Sequence, residues 1–469
     1  MSAVLTVHAV LYAWIVLGAS LFAFLPPARA FALVYVIGLL ALPYPSFNSH
    51  NVPHGMIYFT YSVRLDEFTA CNAAALVGTL LFHPRVLADY CFDWLDLSYV
   101  VILMGDFVTP VVNHLGAYDG ASNVMGSLLR YLPLIFFAKV YIKSMADVME
   151  VLRALIGGAF IYGLLGAVEW RLSPIFNYDL YGYYQHGFAA LARWGHFRPV
   201  MMTKNALQYG FFMGAMTVSL AWLWWSKLFI KPLWGLLPAP VVFCGLALGL
   251  LCSMTVGAYF ITIVGLLAYI VYRRVPRRWL MLVLPVLALA WMYGRYAQVI
   301  HTPWLVSVVH HISAKRSASL NYRFRAEDAY IGNAHQSMLL GLGGFARGFL
   351  SKKGGMPFFV DSFWLIISVN YGLIGLTARL VMWSVGIVAA WKLWPLVPRE
   401  LRPLMVMVAI LFGLMLVDCC VNANLDELFL ILAFGMLSVA HRAIRTARQP
   451  IATPRPYAVR RVTAVATPG

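Results

Sequence analysis

The sequence predicts an all-α polytopic membrane protein, and two features lead to this prediction. Of the 469 residues, 62% are hydrophobic and 11% are charged, whereas soluble domains carry about 25% charged residues. Many apolar runs reach or approach the roughly 20 residues that a helix needs to cross a bilayer. Because the bilayer core offers no water to the backbone, each run must satisfy its own peptide groups as a helix.

About 12–13 transmembrane helices are expected, and the two counts differ in the side on which they put the N-terminus. The thirteen runs lie near residues 4–25, 30–46, 67–83, 97–115, 122–142, 148–168, 204–225, 233–252, 255–272, 279–297, 363–392, 403–421 and 425–441. We expect residues 1–442 to form one transmembrane domain and the basic tail at 443–469 to be disordered. The polar and aromatic stretch from Phe47 to Glu67 is expected to be a loop or a partly embedded helix.

Basic residues set the expected orientation, because cytoplasmic loops collect Lys and Arg. The C-terminal tail is rich in arginine and is therefore placed in the cytoplasm. Counting back, every second connection is basic, with Arg399 and Arg402, residues 273–278, Lys227 and Lys231, Lys139 and Lys143, Arg85, and Arg29. This alternation leaves two large loops, 171–203 and 298–361, on the outer face.

The outer loops are themselves basic, which the topology does not require. The longer loop contains, besides the carboxylates Glu327 and Asp328, seven cations: Lys315, Arg316, Arg323, Arg325, Arg347, Lys352 and Lys353. Two basic outer segments favour an anionic substrate, such as phosphate or pyrophosphate on a lipid carrier. Contact with anionic lipid headgroups is the alternative. Nucleic acid is not an expected partner, because the net charge of +17 is dispersed among the spans.

The longer loop carries most of the residues that could do chemistry. Arg323 and Arg325 can each bind phosphate oxygens bidentately; they share a face in an extended chain and diverge in a helix. Downstream, glycines predict a turn at the membrane surface, at Gly341, Gly343, Gly344 and Gly348. No GKS or GKT follows them, so a nucleotide-binding P-loop is not expected.

Acid–base candidates lie on both sides of this glycine turn. His335 could act as a base, or it could serve only as a hydrogen-bonding residue. Asp361 begins the next apolar run, where it could be a base, a sugar-binding group, or part of a helix cap with Ser362. In the shorter outer loop, Arg198 precedes a span and could reach the same outer cavity, or could extend to lipid headgroups. No motif for a metal ion is present.

A few charged residues fall inside or beside the apolar runs. Asp106, Arg130, Arg379 and Asp418 are such residues, and charges in lipid usually face a cavity or a partner. Asp106 with Arg130 is a possible interhelical pair, and Arg64 with Asp66 is a second pair near a span start.

Three segments together resemble the bacterial O-antigen ligase and Wzy-type polysaccharide polymerase superfamily. The segment with Arg198 and Asn205 is similar to the Arg…Asn pattern that begins a middle span in that family. RFRAEDAY…LLGLGGF resembles its arginine-led segment with a leucine-rich glycine turn, and DSFWLIISVNYGLIGL resembles its helix with a Gly-aliphatic-aliphatic-Gly-Leu end. The resemblance covers residues 198–376, and the N-terminal half only through topology.

Two positions depart from the family pattern. Asp361-Ser362 stands where the family often has His-Asn, and Val256 takes the place of an arginine in SMTVGAYF. The ligases use a loop histidine as a base, and Asp361 at that place favours a polymerase over a ligase.

The resemblance implies glycosyl transfer at the periplasmic face of the bacterial inner membrane. The donor would be a glycan on undecaprenyl pyrophosphate, and a second carrier-linked repeat unit would supply the acceptor hydroxyl. The pyrophosphate is the leaving group, so neither a metal nor a cofactor is expected. A flippase and a chain-length regulator of the same pathway would be partners.

The resemblance also implies roles for particular residues. The leaving pyrophosphate would be stabilised electrostatically by Arg198, Arg323 and Arg325. Asn205, Gly343 and Gly344 would support the site. The base that takes the acceptor proton would be Asp361, His335 or Glu327, in falling order.

Three other functions stay open. A ligase would pass the glycan to a lipid A core or a protein. A flippase or transporter of lipid-linked sugar should carry charges near mid-membrane and show an internal repeat. A non-catalytic scaffold of a polysaccharide assembly complex would tolerate loss of the loop arginines.

Overall fold

The computed structural model describes residues 3–47, 53–60, 62–185, 191–229, 231–344, 350, 360–423 and 427–448. Within these residues lie sixteen α-helices: α1 (Ala3–Phe24), α2 (Pro27–Ala41), α3 (Glu67–Phe82), α4 (Leu97–Val112), α5 (Ala117–Tyr141), α6 (Met145–Leu172), α7 (Phe176–Tyr181), α8 (Ala206–Trp225), α9 (Ala239–Cys252), α10 (Val256–Arg274), α11 (Leu280–Tyr296), α12 (Pro303–Ile312), α13 (Ala314–Ala334), α14 (Phe363–Leu393), α15 (Arg402–Cys419) and α16 (Leu428–Arg448). Short 3₁₀ helices occupy Pro84–Asp89, Trp94–Asp96, His335–Ser337 and Arg399–Leu401.

Thirteen of these helices coincide with the thirteen predicted spans, which confirms the all-α polytopic membrane fold. Among the described residues, nine helices are long and apolar enough to cross a membrane, and four shorter apolar helices (α2, α3, α9 and α11) occupy the other predicted positions. The bundle is centred on α8, α15 and α16, whose apolar windows are 89%, 72% and 72% buried. Outer helices such as α1 and α10 are only about one-third buried, and the rest of their apolar surface is available to lipid.

The connections at one end contain short hairpins and helices. In and beside the stretch from Phe47 to Glu67, the described residues include two antiparallel strand pairs, β1 (Ser46–Phe47) with β2 (Pro53–His54) and β3 (Ile57–Tyr58) with β4 (Arg64–Leu65). The loop 171–203 contains α7 and a third hairpin, β5 (Ala192–Arg193) with β6 (His196–Phe197). The loop 298–361 contains α12 and α13. Arg347, Gly348, Lys352 and Lys353 lie outside the described residues.

The other end of the bundle gathers segments that were predicted to be cytoplasmic. In the connection between α3 and α4, Asp96 lies 2.5 Å from the buried Lys139 Nζ, and Asp89 pairs with Lys143. Arg442 donates to the backbone oxygen of Asp89 at 2.6 Å. These contacts support the predicted alternation of helix directions. Helix α16 continues to Arg448, beyond the predicted domain boundary at residue 442, and residues 449–469 lie outside the description.

Helix α14 is broken at Gly372, the tenth of its 31 residues, where φ is 64° and ψ is −168°. The residues 338–344, here called the glycine segment, bond to both sides of this break. On the N-terminal side, the N–H of Leu342 donates to Val369 O at 2.8 Å and the N–H of Gly343 donates to Asn370 O at 3.1 Å. Of the glycines predicted to turn at the membrane surface, Gly343 thus pairs with a broken span, and the surface location stays a prediction.

The C-terminal side of the break is satisfied in the same way. Leu373 N–H donates to Met338 O at 2.8 Å, and Ile374 N–H donates to Leu339 O at 3.3 Å. A helix start leaves its first N–H groups without intrahelical partners, and apolar surroundings make such groups costly. The glycine segment thus supplies the partners that lipid cannot.

Two glycines allow the segments to approach this closely. A Cβ on Gly372 would lie 2.2 Å from Leu339 O, and one on Gly341, with φ of 74°, would lie 2.4 Å from the backbone of Asn370. Both contacts are backbone contacts that cannot move aside as a flexible side chain could. Helix α4 fixes the segment from its other side, because Thr109 Oγ1 donates to Leu340 O at 2.9 Å.

We predict that Gly372→Ala lowers the free energy of unfolding by more than about 1 kcal/mol, because alanine is strained at this φ and has no space. Thermal unfolding of the purified protein in detergent measures the change. Gly332→Ala in α13 is the matched control, since a Cβ there has no atom of the described residues within 4 Å, and it should leave the melting temperature unchanged or slightly raised. Equal melting temperatures for Gly372→Ala and wild type would contradict the close approach.

Candidate functional site

A cavity of about 410 Å³ lies where α3, α8, α14 and α16 begin. Four cationic side chains and two carboxylates line it: Arg64, Arg130, Lys204, Arg379, Asp66 and Glu427. Helix α14 supplies an apolar wall that includes Phe363, Ile367 and Trp383. The charged lining is net positive, and with its apolar wall it is suited to an anion that carries an apolar chain.

Arg130, near the middle of α5, is held by two carboxylates. Its Nη2 lies 2.8 Å from Glu427 Oε1, and its Nη1 lies 3.3 Å from Asp66 Oδ2. Asp66 also pairs with Arg64 Nε at 2.8 Å, which confirms that predicted pair. The guanidinium lies over the ring of Phe68, 4.8 Å from its centroid. These contacts fix the Arg130 side chain in one orientation at the cavity wall.

Arg379 of α14 forms the second charged centre of the cavity. Its Nη2 lies 2.8 Å from Asp106 Oδ1, and Asp106 also accepts from Ser127 Oγ at 2.5 Å. The Arg379 guanidinium stacks over Tyr371, 4.0 Å from the ring centroid. The prediction that Asp106 pairs with Arg130 is therefore wrong: both residues do have partners, but the partner of Asp106 comes from a helix far away in sequence.

The start of α8 brings Lys204 and Gln208 to the cavity. Asn205 caps this helix, and its Oδ1 accepts from the N–H groups of Leu207 and Gln208, both at 2.9 Å. Lys204 Nζ donates to the backbone oxygen of Ala423 at 3.2 Å. Asn205 thus sets the direction of the segment that carries Lys204, and its predicted supporting role at the site stays a prediction.

An ion pair of Arg323 and Asp361 lies at the rim of the cavity. Arg323 Nη2 is 3.2 Å from Asp361 Oδ2, and its Nη1 donates to Asn422 Oδ1 at 3.2 Å. Asn422 precedes Ala423, and Asp361 lies two residues before Phe363; both Ala423 and Phe363 line the cavity. The structure therefore brings these two predicted site residues together.

Glu327 is buried beneath this ion pair and ties α13 to the start of α14. Its Oε1 accepts from Ser362 Oγ, and its Oε2 lies 3.5 Å from Arg295 Nη2. Burial raises the pKa of the Glu327 carboxyl to about 7. The predicted helix cap of Asp361 and Ser362 is wrong, because no side chain caps α14 there and the Ser362 hydroxyl is engaged by Glu327.

Arg325 and His335 are not among the residues that line this cavity. Because residues 314–334 are helical, Arg323 and Arg325 diverge, and Arg325 lines another cavity beside Arg295. His335 Nε2 lies 3.0 Å from the backbone oxygen of Tyr296, so it carries the proton of that bond. This contact favours the interpretation of His335 as a hydrogen-bonding residue.

Arg198 is buried, with 6% of its surface exposed. Its Nη2 donates to Thr255 Oγ1 at 2.8 Å, at the start of α10. This burial between two chain segments does not fit an arginine that extends to lipid headgroups. It ties the shorter outer loop to α10, and its predicted contact with pyrophosphate stays a prediction.

The cavity can bind and polarise an oxyanion through its fixed guanidinium groups and the lysine. Asp361 is the carboxylate at its rim that is most open to solvent, with 48% of its side chain exposed. Among the described residues, no group of three or more His, Cys, Asp or Glu side chains could hold a metal ion. The expectation of a reaction without metal stays a prediction.

Sequence reasoning did not assign Lys204 and Glu427 to a site. Lys204 was visible only as one more cation of a basic loop, and Glu427 falls at the edge of an apolar run. Arg130 and Arg379 did carry a signal, since charges inside apolar runs usually face a cavity. Which charges share one cavity depends on helix neighbours, and the sequence pattern does not contain that information.

No protein-family model and no curated protein matches this chain.

We predict that the stability of the protein falls as pH rises from about 5 to 8, because of Glu327. The folded state binds a proton up to about pH 7, whereas the unfolded carboxyl releases it near its ordinary pKa of 4.5. The stabilisation is therefore complete below about 4.5 and is lost as pH rises through 7, a change of roughly 1–3 kcal/mol.

Thermal unfolding in detergent at several pH values measures this dependence. In Glu327→Gln, the amide keeps the contact with Ser362 without titrating, so the pH slope should flatten. The control is Asp361→Asn, which should retain the slope. A wild-type slope that survives in Glu327→Gln would contradict this assignment.

Proposed function

We propose that the chain is a glycosyltransferase of the bacterial inner membrane that joins polysaccharide repeat units carried on undecaprenyl pyrophosphate. The observation that carries this proposal is the cavity with four cations and two carboxylates at the outer-loop end of the bundle. A pyrophosphate needs several fixed cations, and a polyprenyl chain needs an apolar wall beside them. Phe363, Ile367 and Trp383 provide such a wall.

In the proposed reaction, the acceptor hydroxyl oxygen attacks the anomeric carbon of the donor glycan. The bond between that carbon and the pyrophosphate oxygen breaks, and the electron pair leaves with the pyrophosphate. Negative charge grows on the leaving oxygen, where Arg130, Arg379 and Lys204 stabilise it. Cations fixed in advance, as Arg130 and Arg379 are by their carboxylates, stabilise this charge without reorganising.

Asp361 is the base in this proposal, because it is exposed at the cavity rim and Arg323 orients its carboxylate. Glu327 is buried and engaged by Ser362, so it supports the rim instead of contacting the acceptor. Arg323 was predicted to bind pyrophosphate, but its contact with Asp361 favours the different role of orienting the base. A flippase and a chain-length regulator of the same pathway would act as partners, and passage of the glycan to a lipid A core or protein would be the related ligase reaction.

We predict that Lys204→Glu lowers chain elongation by roughly 10²–10³-fold, because it removes a cation at the leaving group and adds an anion. In cells that depend on this protein for the polymer, single repeat units should accumulate on the carrier, as read from gel ladders. Lys204 is exposed, so its loss should not unfold the protein. Arg171→Glu, the same charge change on an exposed residue in the last turn of α6, is the matched control and should elongate normally.

The rim pair gives an independent prediction. Arg323→Ala should also cause single units to accumulate, since Asp361 loses its orienting partner. Asp361→Asn should lower elongation at least as strongly, because an amide takes no proton. Normal chain lengths in Lys204→Glu and Arg323→Ala together would refute the proposed function, provided that both variants reach wild-type levels in the membrane.

A second candidate function is the translocation of a lipid-linked glycan. The observation that favours it is the Arg379–Asp106 pair, which lies inside two apolar spans, as expected for a transporter. Labelling the accumulated units with a membrane-impermeant sugar oxidant separates the two functions. Units on the outer face in Lys204→Glu support a polymerase, and units confined to the cytoplasmic face support translocation.

A further inference from the structure

We infer that α13 separates two oxyanion sites, and that the cavity on its Arg325 face binds the pyrophosphate of the second carrier-linked repeat unit. This inference rests on the proposed function, because joining two carrier-linked units brings two pyrophosphates to one protein. The first site is the 410 Å³ cavity described above. The second is a cavity of about 650 Å³ between α11, α12 and α13.

The second cavity has a cationic lining of its own. Two arginines, Arg295 and Arg325, line it together with the imidazole of His301, opposed by Asp328. Arg325 and His301 are exposed and can turn toward a ligand. Asp328 lies 2.6 Å from Arg295 Nη2, and 59% of its side chain is exposed. A more highly charged anion can therefore displace the Asp328 carboxylate from Arg295. The cavity therefore has cations both in its floor and at its mouth.

Arg295 forms the floor and is built into the fold. Only 4% of its side chain is exposed. Its Nη1 donates to the backbone oxygen of Ile300 at 2.9 Å, while its buried Nε has no hydrogen-bond partner within the described part of the chain. A buried guanidinium N–H without a partner is costly, and Arg295 is one of the residues that line this cavity.

Helix α12 sets the depth of this cavity relative to the membrane. Thr302 and Pro303 at its N-terminus and Val306 line the cavity, while Trp304 and Val308 are 59% and 52% exposed. An exposed apolar face with a tryptophan is typical of a helix that lies in the membrane interface. The pyrophosphate of a lipid carrier lies at that same level, so a carrier fits this cavity better than a free anion.

Helix α13 connects the two sites. Arg323 and Arg325 are two positions apart and lie on nearly opposite faces of the helix. Between them in the fold, Glu327 contacts Ser362 on the side of the first cavity and Arg295 on the side of the second. The first cavity would hold the donor and the second the acceptor carrier, with the glycans meeting across α13.

Titration calorimetry with inorganic pyrophosphate tests the second site on the full chain in neutral-lipid nanodiscs. The wild type should bind two equivalents. Arg325→Glu should weaken one of them at least about tenfold, since it reverses a charge at the mouth, and leave the other unchanged. Lys204→Glu should affect only the other equivalent. Arg171→Glu is again the matched control, and both equivalents should persist.

The outcomes distinguish this inference from the proposed function. One equivalent in wild type that responds to Lys204→Glu and not to Arg325→Glu overturns the second site and leaves the proposed function standing. One equivalent that responds only to Arg325→Glu supports the second site and refutes the first cavity as a pyrophosphate site. Loss of both equivalents in Arg325→Glu overturns the claim of two separate sites.

A second titration, with farnesyl pyrophosphate, tests whether a lipid carrier is the ligand. At the equivalent that Arg325→Glu weakens, the farnesyl compound should bind more than about tenfold tighter than inorganic pyrophosphate, because its chain is buried beside α12. Equal affinities would overturn the carrier assignment and indicate a soluble anion. Trp304→Ser should remove the advantage of the farnesyl chain and leave inorganic pyrophosphate binding unchanged.

Discussion

A helix that is interrupted inside an apolar bundle must find partners for the peptide groups that the interruption exposes. In this protein, the four bonds between the glycine segment and α14 meet that requirement on both sides of Gly372. The glycine segment is the continuation of α13, so the same bonds fix how far α13 lies from the span. The position of Arg323, and hence of the ion pair at the cavity rim, depends on this pairing.

The charged side chains of the first cavity also need partners inside the apolar bundle. A guanidinium in lipid is expensive unless it has a partner, and Arg130 and Arg379 each have a carboxylate within 2.8 Å. If carboxylates neutralised every cation of this cavity, no net positive charge would remain to bind an anionic ligand. Lys204 donates to a backbone oxygen, and Arg64 shares Asp66 with Arg130. The arginines are thus stabilised in the bundle while the cavity keeps an excess of positive charge.

The sequence predicted the spans well, because apolar length is a property of each segment alone. It did not predict that the glycine segment pairs with the break at Gly372, since the pairing joins two backbones without a side-chain pattern. Asp106 was assigned the wrong partner for a comparable reason: periodicity gives the face of a helix on which a charge lies, and not the helix that it meets.

The order of the segments along the chain has a consequence for biogenesis. The glycine segment precedes α14, so it is already translated when α14 leaves the ribosome. The incoming span can find the partners for its broken backbone at the moment of membrane insertion. With the reverse order, α14 would be inserted first. The peptide groups at its break would then lack hydrogen-bond partners in the bilayer until the glycine segment was made. The segment that completes the broken span thus precedes that span in the same chain.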